Sequence, residues 1–363
     1  MAKKLFIAAT MQNDGKTTVS LGLIAALKKY FKRIGFIKPI GQRYLIEQGY
    51  KVDEDSVLIE DIFGIKTNIK DMSPIAIEKG FTEKYINKPN KKALITQIEK
   101  SFEKVSKNRD LVIIEGTGHA GVGSVFDLSN ATVAKLLGAK VIIVSSGGIG
   151  RPIDEIILNQ ALFEKEGVEI LGVIINKVLP EKIDKVNYFV RKGFLRKGLR
   201  VLGVLPYNPF LTAPTMKQLK EELHLQILSG EDNLKRTVKK IIVGAMEPHD
   251  AINYIEDKSL IITPGDREDI ILTALSVHTI GLKKRLQISG IILSGGIMPN
   301  TTIMQLVKNS GIPVLLSQKD TYAVASDVHD LRVKISPEDK QKAKIVMDLV
   351  GRHVDIKEIL KQL

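Results

Sequence analysis

The sequence predicts an α/β fold with a doubly wound, mostly parallel sheet, followed by a second, smaller α/β domain. The main observation is that short unbroken apolar runs alternate with amphipathic helical patterns along the first part of the chain. Unbroken β-rich runs between helices are typical of parallel strands that helices cover on both faces. Glycine and proline at the joints support these boundaries. The predicted strands of the first domain are residues 5–9, 34–37, 111–114, 141–144, 170–175 and 201–205.

A second α/β series begins near Ile241, after a connecting region that carries three prolines and a polar helical stretch. We therefore predict two domains, residues 1–215 and residues 216–363, and expect a fragment of residues 1–215 to fold alone. The candidate strands of the second domain are residues 241–245, 260–263, 288–293 and 314–316, and its candidate helices are residues 267–277, 301–309 and 320–331.

The composition excludes several kinds of site. The chain of 363 residues contains no cysteine, which excludes disulfides, thiolate zinc sites and cysteine nucleophiles. No run reaches the roughly 18 apolar residues that span a bilayer, and the N-terminal apolar run is too short for a signal peptide. We therefore predict a cytoplasmic protein without a membrane partner. The net charge of +13 is interspersed with acidic residues, so we predict attraction of anionic phosphates and no nucleic-acid partner.

A phosphate-binding loop follows the first predicted strand. The pattern G-x-x-x-x-G-K-[ST] is present, except that Thr10 stands at the first glycine position. Loop N–H groups at a positive helix end would cradle the phosphates, Lys16 would reach the β- and γ-phosphates, and Thr17 would ligate magnesium. Thr18 would cap the helix or touch the α-phosphate. The predicted cofactors are ATP and Mg2+, and the predicted nucleotide-binding residues of the loop are Asn13, Asp14, Gly15, Lys16, Thr17 and Thr18.

A carboxylate at the end of a second strand completes the predicted magnesium site. Four apolar residues lead into Glu115, and Gly116 turns the chain away at once. A buried strand that ends in an acid indicates a charged ligand at the sheet edge, so we assign Glu115 to the metal. Asp53 and Asp55 precede a helical pattern, and the pattern alone explains them equally well as helix caps or as site residues.

Together these elements resemble the dethiobiotin synthetase-like branch of P-loop proteins, and still more the N-terminal region of long bacterial phosphate acetyltransferases, over residues 1–215. The catalytic part of those acetyltransferases does not follow Leu363, so acetyl phosphate synthesis is not implied. The resemblance rests on Thr10-x4-Gly15-Lys16-Thr17-Thr18, Lys38-Pro39, Asp55, Glu115-Gly116-Thr117-Gly118, Asn130-Ala131, Gly150-x-Pro152-Ile153-Asp154-Glu155, Asn159, the run from Gly172 to Val178, and Gly203-Val204-Leu205-Pro206.

The resemblance implies roles for three more residues. Asp55 would join Thr17 and Glu115 around magnesium, which favours the metal role over the cap. Lys38 would face the transferred phosphoryl group or its acceptor as a catalytic residue beside the loop lysine. Asn176 would contact the adenine edge. The pattern alone also fits an exposed strand end for Lys38 and a strand-end turn for Asn176.

The second domain resembles the DRTGG-type domain that follows such a unit in those proteins. Gly265 and Gly295-Gly296 come after predicted strands, where sharp glycine turns can leave N–H groups open to an anion or small ligand. Asp266-Arg267 at a helix start is explained equally well as a cap with an exposed neighbour. The domain is therefore predicted to be regulatory or ligand-binding. The matching segments are residues 243–246, 263–269, 293–296 and 320–322.

Two functions remain open from the sequence. The first is an enzyme of the ATPase or ligase type, which activates a carboxylate or carbamate by phosphoryl transfer with Lys16 and Lys38 as catalytic residues. The second is a nucleotide-responsive regulatory or accessory protein with little turnover. The expected partner is a small-molecule substrate or effector, and the resemblance implies a homodimer.

Overall fold

The computed structural model describes residues 2–280, 286–331, 333–337 and 339–363. It divides the chain into two compact units. Unit 1 comprises Met1–Asn208 together with Ile335–Leu363, and unit 2 comprises Pro209–Lys334. Among the described residues, no helix combines the length and the apolar character that a bilayer crossing requires.

Unit 1 alternates strands and helices along its first part. Two short 3-10 helices also occur, at Ser124–Phe126 and Pro180–Lys182. The strands are β1 Lys3–Ala9, β2 Ile34–Ile37, β3 Ile40–Gly41, β4 Tyr44–Glu47, β5 Tyr50–Asp53, β6 Ile75–Ala76, β7 Leu111–Glu115, β8 Lys140–Ser146, β9 Ile170–Val178 and β10 Val201–Pro206. The helices are α1 Lys16–Leu27, α2 Glu54–Phe63, α3 Ile69–Met72, α4 Phe81–Asn87, α5 Lys91–Ser106, α6 Asn130–Leu137, α7 Gly150–Lys165 and α8 Ile183–Leu195.

The main sheet of unit 1 is parallel, with the strand order β10-β9-β8-β1-β7-β2 among the described residues. This confirms the predicted doubly wound sheet and its predicted strands. The central strands are buried along most of their length because helices cover both faces. β1 lies between β7 and β8, so the order reverses beside it. Ligands of such sheets bind at the carboxyl ends of the strands, at this reversal.

A small antiparallel ribbon, which the sequence analysis did not predict, lies between β2 and α2. β4 pairs with β5 through a tight turn in which Gln48 and Gly49 both have positive φ, of 51° and 79°. That conformation is typical of a two-residue hairpin. Two residues each of β3 and β6 form a further short parallel pair. The ribbon leads the chain from the end of β2 to Asp53 at the start of α2.

Unit 2 is the second α/β domain that the sequence predicts. Its sheet has the order β11-β15-β14-β13-β12, in which β11 is antiparallel to β15 and the other pairs are parallel. Separate apolar clusters cover the two faces of this sheet. Its strands are β11 Gln226–Ser229, β12 Lys240–Val243, β13 Ser259–Pro264, β14 Gly290–Ser294 and β15 Val314–Leu316, and its helices are α9 Pro209–Thr212, α10 Met216–Glu222, α11 Pro248–Tyr254, α12 Glu268–Ile280, α13 Thr301–Ser310 and α14 Thr321–Asp330, with a 3-10 helix at Glu231–Asn233.

The chain then returns to unit 1 through α15 Lys340–His353 and α16 Ile356–Gln362. This corrects the predicted second domain of residues 216–363, because the last helices pack on the first unit. The physical reason lies in α1, which is apolar on nearly all sides and buries most of its residues. A helix of that kind needs cover on more than one side. α15 supplies it, with Val350 against Gly22.

The packing of α15 on α1 predicts opposite effects for two glycine substitutions. A Cβ added at Gly22 would lie 2.3 Å from Val350 Cγ2, whereas no described atom lies within 4 Å of a Cβ at Gly351. We expect Gly22→Ala to lower the free energy of unfolding by about 1–3 kcal/mol through overpacking. Gly351→Ala should raise it by about 0.5–1 kcal/mol, because alanine favours a helix interior. Urea denaturation measures both, and equal effects would contradict this packing.

Candidate functional site

The loop between β1 and α1 has the backbone conformation of an anion cradle. Asn13 and Gly15 both have left-handed φ, of 64° and 98°, which turns successive N–H groups toward one side. Gly15 occupies the N-cap position of α1, so Thr18 lies within the first turn and is not the cap. No described side chain caps this helix, and its first turn contains no acid. The helix therefore presents its N–H groups and the positive end of its dipole at the loop.

Asp14 ties the two ends of this loop together. Its Oδ2 accepts hydrogen bonds from Met11 N at 2.7 Å and from Thr10 Oγ1 at 2.8 Å, and its Oδ1 accepts one from Ser146 Oγ. The side chain is buried, with 4% of the residue exposed. Its carboxylate therefore serves the conformation of the loop. The predicted contact of Asp14 with a nucleotide stays a prediction. The backbone N–H of Asp14 is the group that could donate to a phosphate, because its carboxylate is bonded within the protein.

Thr10, which stands at the first glycine position of the motif, is held by buried and partly buried polar side chains. Besides Asp14, its hydroxyl lies 2.9 Å from Ser145 Oγ and 3.0 Å from Glu155 Oε2. Burial alone would raise the pKa of Glu155, but hydrogen bonds from Arg151 and Thr10 hold it below its usual range. Ser145 of β8 and Glu155 of α7 thus hold the start of the loop in place through hydrogen bonds with Thr10.

Lys16 lies between this loop and the segment that follows β7. Its Nζ is 3.4 Å from Met11 O and 3.4 Å from Gly118 O, and only 8% of the residue is exposed. Burial lowers the pKa of Lys16 to about 8, although the carboxylate of Glu115 acts in the opposite direction. Among the described residues, the ammonium donates two long hydrogen bonds, both to backbone carbonyls, which an anionic phosphate can readily replace.

The structure brings together the residues predicted to hold the metal and to face the γ-phosphate. Thr17 Oγ1 donates to Glu115 Oε1 at 3.0 Å. Lys38 Nζ lies 2.8 Å from Asp53 Oδ1 and 3.7 Å from Glu115 Oε1, and it also contacts Asp55 Oδ2. Because β1, β2 and β7 are neighbours in the sheet, the residues at their carboxyl ends meet at one edge. The proposed ligand roles of these residues stay predictions.

The pattern alone left Asp53 and Asp55 open as helix caps or as site residues, and the structure shows their contacts. Asp53 is the N-cap of α2 and accepts a hydrogen bond from Asp55 N at 3.0 Å. Asp55 lies in the first turn of the helix, and its carboxylate contacts Lys38. Asp53 contacts Lys38 as well. It therefore both caps the helix and belongs to the charged cluster.

Burial and neighbouring charges compete in setting the pKa values of this cluster. Burial alone would lower the pKa of Lys38, but Asp55, Asp53 and Glu115 together raise it above its ordinary value. Burial and the charge of Asp55 raise the pKa of Glu115 to about 7, against the opposing effects of Lys38 and Lys16. The three carboxylates therefore favour the charged form of the Lys38 ammonium.

The donors present suit Mg2+ held jointly with a nucleotide. Thr17, Asp55 and Glu115 offer oxygen atoms, which Mg2+ prefers, and Glu115 Oε2 has no hydrogen-bond partner among the described residues. No three His, Cys, Asp or Glu side chains of the described chain are arranged to hold an ion unaided. Mg2+ sites at phosphates use only one or two protein carboxylates, with phosphate and water supplying the rest. The set therefore fits the predicted metal.

Asn176 and Lys177, at the end of β9, also hold the loop between β1 and α1 in place. Asn176 Nδ2 donates to Asp14 O at 2.8 Å, and its Oδ1 accepts from Lys177 N at 2.9 Å. Lys177 has a left-handed φ of 57°, and its Nζ donates to Asn13 O. The adenine contact of Asn176 stays a prediction. Its hydrogen bond to the backbone of the loop is a role that the sequence did not indicate. The sequence analysis assigned no role to Lys177, because a contact between the ends of distant segments leaves no local pattern.

Two asparagines fix the segment after β7. Asn130 accepts from Thr117 N at 3.0 Å and donates to Thr117 O and His119 O, each at 2.7 Å. Asn159 Oδ1 accepts from Ala120 N at 2.7 Å. Both asparagines are buried. Both belong to the motifs on which the family resemblance rests. The structure shows that they position the segment after β7, in which the carbonyl of Gly118 accepts a hydrogen bond from Lys16.

The glycines of unit 2 are explained by close packing of loops. A Cβ at Gly265 would lie 1.8 Å from Ile297 O, and a Cβ at Gly296 would lie 2.4 Å from Gln318 Oε1. Arg267 donates to Asp269 and to the carbonyl of Met246. These contacts agree with a purely structural role for the glycine turns and for the helix start at Asp266-Arg267. A ligand at these turns stays a prediction.

Comparison with known proteins identifies both parts of the chain. A family model described as AAA domain matches residues 3–215, and one described as DRTGG domain matches residues 218–331. The phosphate acetyltransferase of Nitratidesulfovibrio vulgaris is 29% identical over 373 residues, which cover 100% of this chain and 52% of that protein. That of Pseudomonas putida is 29% identical and covers 96% of this chain and 50% of that protein. The chain thus spans about half the length of these curated relatives.

Solved structures show weaker likenesses. The MinC:MinD cell division complex of Aquifex aeolicus matches with a TM-score of 0.37 at 18% identity, covering 58% of this chain and 84% of that chain. The CBS and DRTGG domains of a Clostridium perfringens pyrophosphatase match with a TM-score of 0.29 at 18% identity, covering 47% and 85%. The family matches and the relatives confirm the resemblance noted above. The chain belongs to the AAA domain family, in its dethiobiotin synthetase-like P-loop branch, and carries a DRTGG domain like the N-terminal part of phosphate acetyltransferases.

Proposed function

We propose that unit 1 binds ATP with Mg2+ at the loop between β1 and α1 and transfers or hydrolyses the γ-phosphoryl group. The observation that carries this proposal is the convergence of Lys16, Thr17, Lys38, Asp55 and Glu115 at one sheet edge, beside an open helix N-terminus. Phosphoryl transfer needs positioning and charge neutralisation and little covalent chemistry from the protein. These residues supply both.

Each side chain has a definite task in this proposal. Lys16 exchanges its carbonyl partners for phosphate oxygens and neutralises charge on the transferred group. Thr17, Asp55 and Glu115 hold Mg2+, which neutralises the phosphates when it is bound. Lys38 approaches the γ-phosphate or the acceptor. By family resemblance the acceptor is a carboxylate or carbamate, and the protein acts as a homodimer.

A regulatory use of the nucleotide is the second candidate. The observation that favours it is that the whole chain aligns with about half of the phosphate acetyltransferase relatives. Release of ADP, measured with and without candidate carboxylates and amines, separates the two functions. Turnover that depends on an acceptor supports the enzyme, and nucleotide binding without turnover supports the regulator.

Thermal unfolding tests the nucleotide site itself. Mg-ATP at about 100 times its dissociation constant stabilises a binding protein by about 2.7 kcal/mol, so we expect the melting temperature of unit 1 to rise by about 5–10 °C. Lys16→Ala should abolish this rise because it removes the cation that faces the phosphates. Lys165→Ala, at an exposed position of α7, is the matched control and should keep it. A full rise in Lys16→Ala would refute the assignment.

A further inference from the structure

The hydroxyl of Thr10 lies between two carboxylates at the start of the loop between β1 and α1. Its Oγ1 is 2.8 Å from Asp14 Oδ2 and 3.0 Å from Glu155 Oε2, and only 2% of the residue is exposed. A threonine hydroxyl carries one proton, whereas an ionised carboxylate can only accept hydrogen bonds. Thr10 can therefore donate to one of these carboxylates at a time, and the other one needs a further donor or a cation.

Arg151 supplies that cation from the first turn of α7. Its Nε donates to Glu155 Oε1 at 2.7 Å, and the Ser145 hydroxyl lies 3.4 Å from Glu155 Oε2. The hydrogen bond and the charge of Glu155 raise the pKa of Arg151, and the charge of Asp14 adds to this effect. Arg151 therefore compensates the charge of Glu155 and also attracts the carboxylate of Asp14.

The backbone at position 10 does not require the glycine of the motif. Thr10 is not among the described residues with positive φ, and its N–H donates to Val144 O at 2.9 Å, which continues the pairing of β1 with β8. Glycine is needed where the chain adopts positive φ or where another group approaches closely. A glycine here would thus add conformational freedom and remove the hydroxyl that joins Asp14 to Glu155.

We propose that Thr10, Glu155 and Arg151 are positioning residues that hold this loop in its anion-binding conformation. Arg151 holds Glu155, which contacts the hydroxyl of Thr10. That hydroxyl contacts the carboxylate of Asp14, which also accepts from Met11 N and so shapes the loop. A loop that is ordered before its ligand arrives binds the ligand more tightly. The inference rests on the proposed function for the identity of the ligand, whereas the order of the loop follows from these contacts.

Hydrogen exchange of the Met11 amide in the nucleotide-free protein tests these contacts directly. We expect Thr10→Val, which removes the hydroxyl, to speed this exchange by at least about tenfold. Thr10→Ser keeps the hydroxyl and should keep the protection. Arg151→Gln should speed the exchange by about threefold, because it loosens Glu155. Thr67→Val is the matched control, since it removes a hydroxyl that Arg109 contacts before β7, at the opposite edge of the sheet.

Equilibrium titration with ATP and Mg2+ measures the effect on the site. Thr10→Gly restores the glycine of the motif, yet we expect it to weaken ATP binding by at least about tenfold, because the loop is no longer held. Thr10→Ser should bind within about threefold of the wild-type chain. Arg151→Gln should also weaken binding. The double variant Thr10→Val/Arg151→Gln should lose less affinity than the two single losses combined, because both residues act through Glu155.

Arg33→Gln is the matched control for Arg151→Gln. It breaks a similarly exposed ion pair, with Asp110, at the amino ends of β2 and β7, and it should leave ATP affinity unchanged. Either of two results overturns the proposal: Thr10→Gly binds ATP as tightly as the wild-type chain, or Arg151→Gln leaves the exchange of the Met11 amide unchanged. The Arg151 side chain is 66% exposed, so its variant decides the matter even where Thr10→Val does not fold. A wild-type chain that binds no ATP would refute the proposed function instead, and the exchange without ATP would still test this inference.

Discussion

A chain that ends at Lys334 is expected to lose the cooperative folding of unit 1, although the P-loop and all the charged site residues remain in it. The missing segment buries Val346, Val350, Val354 and Ile359, each at most 6% exposed. Burial of such side chains stabilises by about 1.5–3 kcal/mol each, or about 6–12 kcal/mol together. A whole domain is stable by only about 5–15 kcal/mol. The truncation would also uncover the apolar surface of α1.

Hydrogen exchange checks this expectation strand by strand. Amides of β1 and β8 should lose protection in the truncated chain, whereas those of β13 and β14 should keep it, because unit 2 has its own two cores. A chain that ends at Asp355 is the matched control. It lacks α16 and the buried Ile359 but keeps α15, so we expect a loss of about 1.5–3 kcal/mol. Full protection of β1 in the shorter chain would show that α15 is dispensable.

Gly15→Ala is expected to remove nucleotide binding from a chain that otherwise folds. Gly15 has a φ of 98°, which costs a non-glycine residue about 1–3 kcal/mol. An added Cβ would also lie 2.1 Å from Asn176 Nδ2, so either the loop or Asn176 must move. Since the N–H groups of this loop must all point at the phosphates, we expect ATP affinity to fall by about 100-fold or more. Equilibrium titration with ATP and Mg2+ measures the change.

Two further variants separate the clash from the backbone strain. Gly150→Ala, at the start of α7, has no described atom within 4 Å of the added Cβ and should leave ATP affinity unchanged. Asn176→Ala removes the clashing group, so the double variant Gly15→Ala/Asn176→Ala should lose less affinity than the two single losses combined. Additive losses would mean that Gly15 and Asn176 act independently.

The fold of unit 1 was largely predictable because its strands are buried on both faces. Such strands read as unbroken apolar runs, and the structure confirms all six of those predicted. The β4–β5 ribbon and β11 were missed because short exposed strands carry no such pattern. The return of α15 was missed for a different reason. Its apolar stripe indicates a buried face, but only the packing on α1 shows which unit provides the surface.

The candidate site likewise combines features that the sequence predicts with contacts that only the structure shows. The motif around Lys16 and the acid at the end of β7 are local signals, so spacing alone located both. The ion pairs of Lys38 with Asp53, Asp55 and Glu115 depend on which strands are neighbours, and no local pattern contains that information. The roles of the buried asparagines likewise appear only when distant loops meet.

The sequence by itself determined the fold class, the P-loop motif between β1 and α1, and the acid at the neighbouring strand end. Each is encoded by residues that are close along the chain and act through backbone conformation or strand burial. The tertiary structure alone decided that the last two helices complete unit 1 and that Lys38 is the cation shared by three carboxylates. Both depend on contacts between segments far apart in sequence, where burial and charge compensation become definite only after the strands have found their order.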